Sequence, residues 1–467
     1  MTTTVSLPLW LLVLILLFAA VTFASHFLFP SVRWFFRKRA ERLVSRLNKR
    51  LQRPIEPFKL ARRHDMIQRL IYDPQVTEAI VEHARSHNVP ENVAFELARD
   101  FAREIVPSFS ATAYFTIGAR VARWLARSLY RIRLGSFDRS ALERIDPDAS
   151  VIFVINHRSN MDYVLVTYLV SRTSALSYAV GEWARIWPLS AVIRAMGAYF
   201  IRRRNRSGLY RRVLARYVQM AVAGGVTQAF FPEGGLSLTG RVESPKLGLL
   251  NYIVSGWAPN GRDVIFVPVG LNYDRVLEDR FLIAAHTSGQ RRFRPPLGVV
   301  VSALGGHAWQ RLTRRFKTFG TASVSFGTPL SLANLIEERG PVTTEDLASI
   351  LMGRVRKSIP VLPVPLVASV LQDGSPKTRA QIEAEVARMV GHLSHAGASV
   401  PRRDVATVTA DALALLFERG LLSETPAGVQ AKPEAREVLE YYGNSIAEHL
   451  EHPAPDAAKI DNSAFRR

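Results

Sequence analysis

The sequence predicts an α/β fold, a mixed sheet flanked by helices, preceded by an N-terminal transmembrane helix and accompanied by helical accessory regions. Three observations predict it. Short apolar runs at residues 151–155, 176–180, 228–231 and 263–269 alternate with helical segments, as expected of a sheet covered on both faces. Residues 7–29 form a run of 23 without Asp, Glu, Lys or Arg. Beyond about residue 341 the pattern becomes helical.

The amino-terminal run is long enough, at about 1.5 Å per residue, for a hydrocarbon core of about 30 Å. Arg33, Arg37, Lys38, Arg39, Arg42, Arg46, Lys49 and Arg50 follow it, while the preceding MTTTVS carries no basic residue. That asymmetry predicts an uncleaved anchor, single-pass or re-entrant, in a cell membrane such as a bacterial inner membrane, with the rest of the chain on the cytoplasmic side. The basic stretch that continues to about residue 70 suits anionic headgroups, and an ordinary charged surface helix is the alternative. The whole chain of 467 residues has 61 Lys plus Arg against 40 Asp plus Glu, a net charge of +21 with His neutral. Its partners are therefore expected to be anionic: nucleic acid, anionic lipid or a phosphorylated small molecule. With no Cys, a disulfide framework, a thiolate nucleophile and a cysteine metal site are excluded.

Residues 72–108 read as helices interrupted at Asn88, Val89 and Pro90. A further helix over 112–130 places Arg120, Arg123 and Arg127 along one side, facing either lipid phosphates or solvent. Residues 135–150 are polar and turn-rich, and the strand–helix alternation starts at 151. A helix is expected at 161–170, a helical connection at 181–197, a short extended edge at 199–201 and a helix at 209–223. In the carboxyl-terminal part, Ser375 and Pro376 read as cap and first-turn proline of a helix to about 393, with another amphipathic helix at 405–422. Residues 453–467 read as a frayed tail. The expected division is an anchor and basic juxtamembrane segment (1–50), a helical region (51–134), a catalytic domain (135–340) and a helical carboxyl-terminal region (341–467).

Four constellations carry chemistry. NHRSNMD puts His157 and Asp162 five positions apart at a strand-to-helix junction, where a carboxylate can hold an imidazole and leave its other nitrogen for an alcohol. No GxSxG elbow surrounds Ser159, which favours direct transfer over a serine-bound intermediate. Too few ligands stand at metal-binding spacing. AYFIRRRNR offers Arg202, Arg203 and Arg204 as a phosphate clamp or a solvated basic loop. In FPEGGLSLTGR, Gly234 and Gly235 let backbone approach a ligand and Glu233 can accept a hydrogen bond. Lys246 lies just beyond it, and no nucleotide P-loop is present. In FVPVGLNYD, Pro268 marks a strand end or edge beside an apolar groove.

In this order, NHRSNMD, GAYFIRR, FPEGG with its following TGR, and VPVGLNYD resemble the four acyltransferase blocks of the glycerophospholipid acyltransferase family. The wording is most similar to the glycerol-3-phosphate acyltransferase branch: HRSNMDY, and TGR followed closely by SPKLG. The resemblance implies a glycerolipid acyltransferase fold and transfer of a fatty acyl group from acyl-CoA or acyl carrier protein to glycerol 3-phosphate, giving lysophosphatidate. It requires no further cofactor. It implies His157 as base and Asp162 as its partner. Arg202 and Arg203, with Arg241 and Lys246, are implied for phosphate, and Glu233, Gly234, Gly235 and Pro268 for the acceptor or acyl pocket.

The sequence departs from the branch where it usually has EGGRSRTG, because Leu236 and Leu238 occupy the arginine positions. Charged hydrogen bonds are worth about 1.5 to 3 kcal/mol each, so Arg204, Arg241 or Lys246 would have to compensate, or the acceptor differs. Two alternatives therefore stand beside the main expectation: acylation of lysophosphatidate, and a non-enzymatic membrane-anchored, anion-binding scaffold. No nucleic-acid recognition motif accompanies the charge, and nucleic acid is not expected as a partner.

Overall fold

The computed structural model describes residues 8–171, 173–181, 189–202, 207–289 and 318–451, without the side chains of residues 23–34, 36, 37, 40 and 189. It divides into two units, Met1–Ile55 and Glu56–Arg467.

The first unit is a 40-residue helix, α1 (Leu9–Asn48), whose last residue turns back on the chain: the Asn48 side-chain oxygen accepts the Ile55 amide at 2.9 Å. Among the described residues no helix is long and apolar enough to cross a membrane. This corrects the expected transmembrane anchor and the membrane placement drawn from it.

The second unit is built on a mixed sheet. Its strands are β1 (Arg131–Phe137), β2 (Ser150–Ile155), β3 (Ser177–Gly181), β4 (Tyr199–Ile201), β5 (Gln228–Phe230), β6 (Val264–Tyr273), β7 (Thr321–Phe326) and β8 (Leu330–Ser331). The order across the sheet is β1-β7-β6-β2-β5-β3-β4, with β8 also pairing β6. From β6 to β4 every neighbour is parallel, whereas β7 and β8 run antiparallel to β6. The carboxyl ends of β2, β5, β3 and β4 consequently share one edge, where ligands bind in such sheets.

Strand β2, SVIFVI, is buried at every position. Val151, Phe153 and Ile155 enter one core cluster and Ile152 and Val154 the other, so alternating side chains fill both faces. On the first face pack α5 (Ala119–Leu129), α7 (Met161–Val170) and the carboxyl-terminal helices α14 (Pro363–Leu371), α15 (Arg379–His395), α16 (Val405–Glu418) and α17 (Arg436–Gly443). On the second pack α2 (Arg63–Ile71), α3 (Pro74–His87), α4 (Glu91–Ile105), α9 (Gly208–Ala223), α10 (Gly248–Ser255) and α13 (Thr344–Ser358). Further helices include α6 (Arg139–Glu143), α8 (Leu189–Ala195), α11 (Asp279–Thr287), α12 (Leu332–Arg339) and α18 (Ala447–Glu451), besides short turns of helix at Pro57–Leu60, Ala113–Gly118 and Pro433–Ala435.

The structure differs from the sequence expectations at several elements. Asn88 interrupts the amino-terminal helices as expected, in a left-handed conformation at φ 51°. Part of the polar stretch 135–150 belongs instead to β1 and α6; as an edge strand, β1 exposes Arg131, Leu134, Ser136 and Phe137 and lacks the buried apolar alternation that marks a strand. Pro268 is buried in the middle of β6, opposite Val154, rather than at a strand end. It stands where β6 exchanges β8 for β7 as neighbour, so its missing N–H costs no ladder bond there, and its carbonyl accepts the Gly327 amide at 2.8 Å. The helix expected to begin at Ser375 and Pro376 begins at Thr378, whose hydroxyl and Gln381 form a capping box. A hairpin at Leu422–Thr425 and Gly428–Ala431 follows α16. The tail 453–467 and much of the 181–197 connection lie outside the described residues.

Candidate active site

The site begins where β2 stops. Asn156 fastens that end to β6, donating to the Leu271 carbonyl at 3.0 Å and accepting the Leu271 amide at 2.7 Å. The next residue, His157, is 3% exposed, and its Nδ1 lies 2.9 Å from Asp162 Oδ2. A carboxylate only accepts, so the shared proton belongs on Nδ1 and Nε2 is left as the acceptor. Among the described residues Nε2 has no hydrogen-bond partner.

Asp162 is wholly buried in the first turn of α7. Its Oδ2 also accepts the amides of Arg158 at 2.7 Å and Ser159 at 3.0 Å, and Oδ1 accepts the Tyr273 hydroxyl. The tight loop between β2 and α7 turns its own amides onto the carboxylate, and the helix N-terminus adds a favourable dipole of roughly 0.3–1 kcal/mol. Burial, followed by the Asp162 charge, pushes the Tyr273 hydroxyl well above its ordinary pKa, which keeps it a donor. Phe231 stacks on the imidazole at 4.0 Å between centroids, and Tyr163 meets it edge-on at 5.5 Å.

The loop after β5 closes over this pair. Glu233 Oε1 accepts the His157 amide at 2.7 Å, Oε2 accepts the Glu243 amide at 2.9 Å, and the Ser237 amide donates to the His157 carbonyl at 2.9 Å. Burial raises the Glu233 pKa to about 8 despite those two donors. Gly234 adopts φ 68°, where a Cβ would stand 3.0 Å from Lys246 Cγ. Gly240 adopts φ 89°, and a Cβ there would fall 1.9 Å from the Tyr441 carbonyl oxygen, so α17 packs directly on the loop. Asn444 reinforces that contact by donating to the Thr239 carbonyl at 3.0 Å. Arg158, 2% exposed, donates through Nη1 to the Gly240 carbonyl and lies 4.8 Å over the Tyr441 ring. Its Nε and Nη2 have no partner among the described residues.

The structure thus brings His157, Asp162, Glu233, Gly234 and Gly235 together, with the exposed Lys246 alongside: its amide donates to the Pro232 carbonyl at 2.7 Å. It does not bring in the others in the same way. Arg241 forks onto Glu451, with Nη1 at 2.8 Å from Oε2, on an exposed surface. Arg202 forks onto Glu104, its Nε 2.8 and 3.0 Å from the two carboxylate oxygens, at the end of β4. Leu236 and Leu238 pack half-buried against the core cluster on the His157 face. Pro268 is a core residue, and Arg203 lies outside the described residues. Tyr273, Phe231, Arg158 and Glu278 are absent from the sequence expectations. Glu278 accepts the Ser159 hydroxyl at 2.7 Å and the Asn160 side chain at 3.0 Å, and burial raises its pKa. Tyr273 and Phe231 stand within quoted motifs at strand ends, a signal that could have found them; Glu278 stands in none.

A buried histidine–carboxylate pair with one open imidazole nitrogen, at the carboxyl edge of a largely parallel sheet, defines a site for general-base chemistry. Residues 137–272 match the Acyltransferase family and residues 309–464 the glycerol-3-phosphate acyltransferase C-terminal region. The glycerol-3-phosphate acyltransferase of Shewanella amazonensis is 28% identical over 407 residues, 81% of this chain and 48% of the relative. That of Alteromonas mediterranea is 27% identical over 418 residues, 83% and 49%. That of Shewanella loihica is 30% identical over 316 residues, 65% and 36%. The chain spans about half the length of the curated relatives it matches, or less. Among solved structures, the 1-acyl-sn-glycerophosphate acyltransferase of Thermotoga maritima aligns with TM-score 0.32 and 20% identity over 52% of this chain and 76% of that one. The chain belongs to the glycerophospholipid acyltransferase superfamily, close to its glycerol-3-phosphate acyltransferase branch.

Proposed function

We propose that the protein is an acyltransferase that moves a fatty acyl group from a thioester donor to the hydroxyl of glycerol 3-phosphate. The observation that carries this is the His157–Asp162 pair, with Nδ1 committed to the carboxylate and Nε2 open. Nε2 takes the proton of the acceptor hydroxyl as its oxygen bonds to the thioester carbonyl carbon. The tetrahedral adduct then collapses, the carbon–sulfur bond breaks, and the imidazolium proton goes to the departing thiolate. Asp162 stabilises the imidazolium meanwhile, without taking the proton. The amides of Gly235 and Leu236, unpartnered among the described residues, are assigned to the oxygen of the adduct.

One observation favours lysophosphatidate as acceptor: Leu236 and Leu238 give the loop after β5 an apolar face where the branch usually carries arginine. The purified chain is therefore given labelled acyl-CoA or acyl carrier protein donor with glycerol 3-phosphate and lysophosphatidate in parallel. Lysophosphatidate from the first acceptor is expected. Phosphatidate from the second alone would replace glycerol 3-phosphate as the acceptor, and no product from any pair would sink the enzymatic assignment. His157→Ala is expected to cost about 10²–10⁴-fold in turnover. Full turnover in that variant would remove the base from the mechanism.

A further inference from the structure

The segment that leads from β6 into α11, residues 274–279, is gripped from two sides. Toward the catalytic loop, Glu278 Oε2 accepts the Ser159 hydroxyl at 2.7 Å, and Oε1 accepts the Asn160 amide at 3.2 Å and its side-chain nitrogen at 3.0 Å. Toward the carboxyl-terminal helices, Asp279 Oδ2 accepts the Tyr442 hydroxyl of α17 at 2.7 Å and Nη2 of Arg419, the residue that ends α16. The Tyr442 oxygen in turn accepts the Val276 amide at 2.9 Å, and the Tyr130 hydroxyl donates to the Arg275 carbonyl at 2.8 Å. Asp279 and Arg419 are buried together, their side chains 6% and 8% exposed. Separating such a pair leaves a buried charge without its counterion, so these contacts hold the segment to the carboxyl-terminal helices.

The bonds from Glu278 land on the turn that sets the base. A hydroxyl carries one proton, and Ser159 gives it to Glu278, which leaves its lone pairs to face the Met161 amide, 3.1 Å away at the first residue of α7. The Ser159 amide donates to Asp162 Oδ2 at 3.0 Å, and the Ser159 carbonyl accepts the Asp162 amide at 3.0 Å. Ser159 is thus the pivot of the turn, and a shift there moves the carboxylate that holds Nδ1 of His157. Among the described residues Glu278 bonds neither His157 nor Asp162, so its effect on the base passes through Ser159 and Asn160. Both its oxygens are committed to the loop, which marks a positioning role rather than a place at the reacting atoms.

We propose that Glu278 is a positioning residue for the acyl transfer, relaying the fixed geometry of the carboxyl-terminal helices through Asp279 to the turn that sets His157 against Asp162. This rests on His157 acting as the base, yet the relay can also be read without turnover. Glu278→Ala is expected to lower kcat about 10²-fold, and Glu278→Gln, which keeps one acceptor oxygen, about tenfold, with both KM values within about twofold of wild type. Tyr442→Phe takes one donor from Asp279 and the acceptor from the Val276 amide, and is expected to lower kcat about threefold at unchanged KM. It reads the relay in a folded protein should Glu278→Ala fail to fold. In parallel, 15N-histidine NMR follows the His157 ring, its signals assigned by their loss in His157→Gln. One protonated and one bare nitrogen are expected in the wild type, and averaged signals in Glu278→Ala. A wild-type kcat per folded molecule in the Glu278 variants overturns the proposal, and so does a wild-type kcat in Tyr442→Phe. A rise in either KM at unchanged kcat also overturns it, because it would put Glu278 at a substrate. If no donor and acceptor pair gives product, the acyl-transfer assignment falls, and the ring signals decide the relay: an unchanged pattern in Glu278→Ala overturns it.

Discussion

The end of β2 and the end of β4 lie on the same sheet edge and are built in opposite ways. At β2, His157 and Asp162 are 3% and 0% exposed, and both oxygens of the carboxylate are engaged by donors from two parts of the chain, the loop 157–159 and Tyr273. At β4, arginines line an open cleft, and Arg202 is one-third exposed beside a buried Glu104. The first arrangement fixes one proton on one nitrogen before any substrate arrives. The second gathers arginines and carboxylates around a cleft open to solvent. A base needs the former, because a misplaced base loses rate steeply.

The comparison breaks most sharply at Asp162. Asp162→Asn keeps the shape of the side chain but turns an amide donor or a single carbonyl toward the His157 ring and the amides of Arg158 and Ser159. Turnover is expected to fall about 10²–10⁴-fold because the ring loses its fixed tautomer. Stability is expected to fall by about 1–3 kcal/mol from the unsatisfied buried groups. Tyr273→Phe, which removes one donor from the same carboxylate, is expected to cost less, about tenfold in kcat with KM unchanged. A tyrosine that only packs would leave kcat alone, and that outcome would make the β2 end less over-determined than its hydrogen bonds imply.

The same contrast explains what can be read from the sequence. The histidine and aspartate are visible because their contact spans five positions within one loop. The contacts that complete the site are long-range: His157 to Glu233 spans 76 positions, Asp162 to Tyr273 spans 111, and Ser159 to Glu278 spans 119. No spacing rule reaches that far. Strand β2 is legible because both its faces are buried, so its apolar run is unbroken. Strand β7, TASVSF, hides Ser323 and Ser325 at 0% exposure and so lacks the apolar pattern that marks a strand. The arginines at Arg202 and Arg203 are visible as charge. That Arg202 meets Glu104, 98 positions away, depends on how the amino-terminal helices pack.

Glu233 sharpens the comparison through pH. Its ordinary pKa is 4.5, and burial raises it to about 8 in the folded protein. The native state therefore holds a proton that the unfolded chain releases, and stability falls as pH rises from about 4.5 to about 8. Each pH step of one within that window costs on the order of 1.4 kcal/mol at most. Urea unfolding at pH 5 and pH 8 checks it. The wild type is expected to lose stability across that window, and Glu233→Gln, which keeps one acceptor for the His157 amide but cannot titrate, is expected to give a flatter profile. Equal slopes in the two proteins would place the titration elsewhere.

The smallest effect is expected at Arg241, which separates a cation near the site in sequence from one that serves it. Its side chain is 42% exposed and its fork is closed on Glu451, itself 47% exposed. An exposed pair of this kind contributes about 0.2–1 kcal/mol, so Arg241→Ala should lower the unfolding free energy by no more than that. A residue holding the acceptor phosphate would instead leave a charged group without its donor, at about 1.5–3 kcal/mol, and raise the acceptor KM roughly tenfold or more. Measuring the glycerol 3-phosphate KM of Arg241→Ala beside wild type decides between them, and a change below about twofold is expected. A tenfold rise would mean that the Glu451 pair opens for substrate.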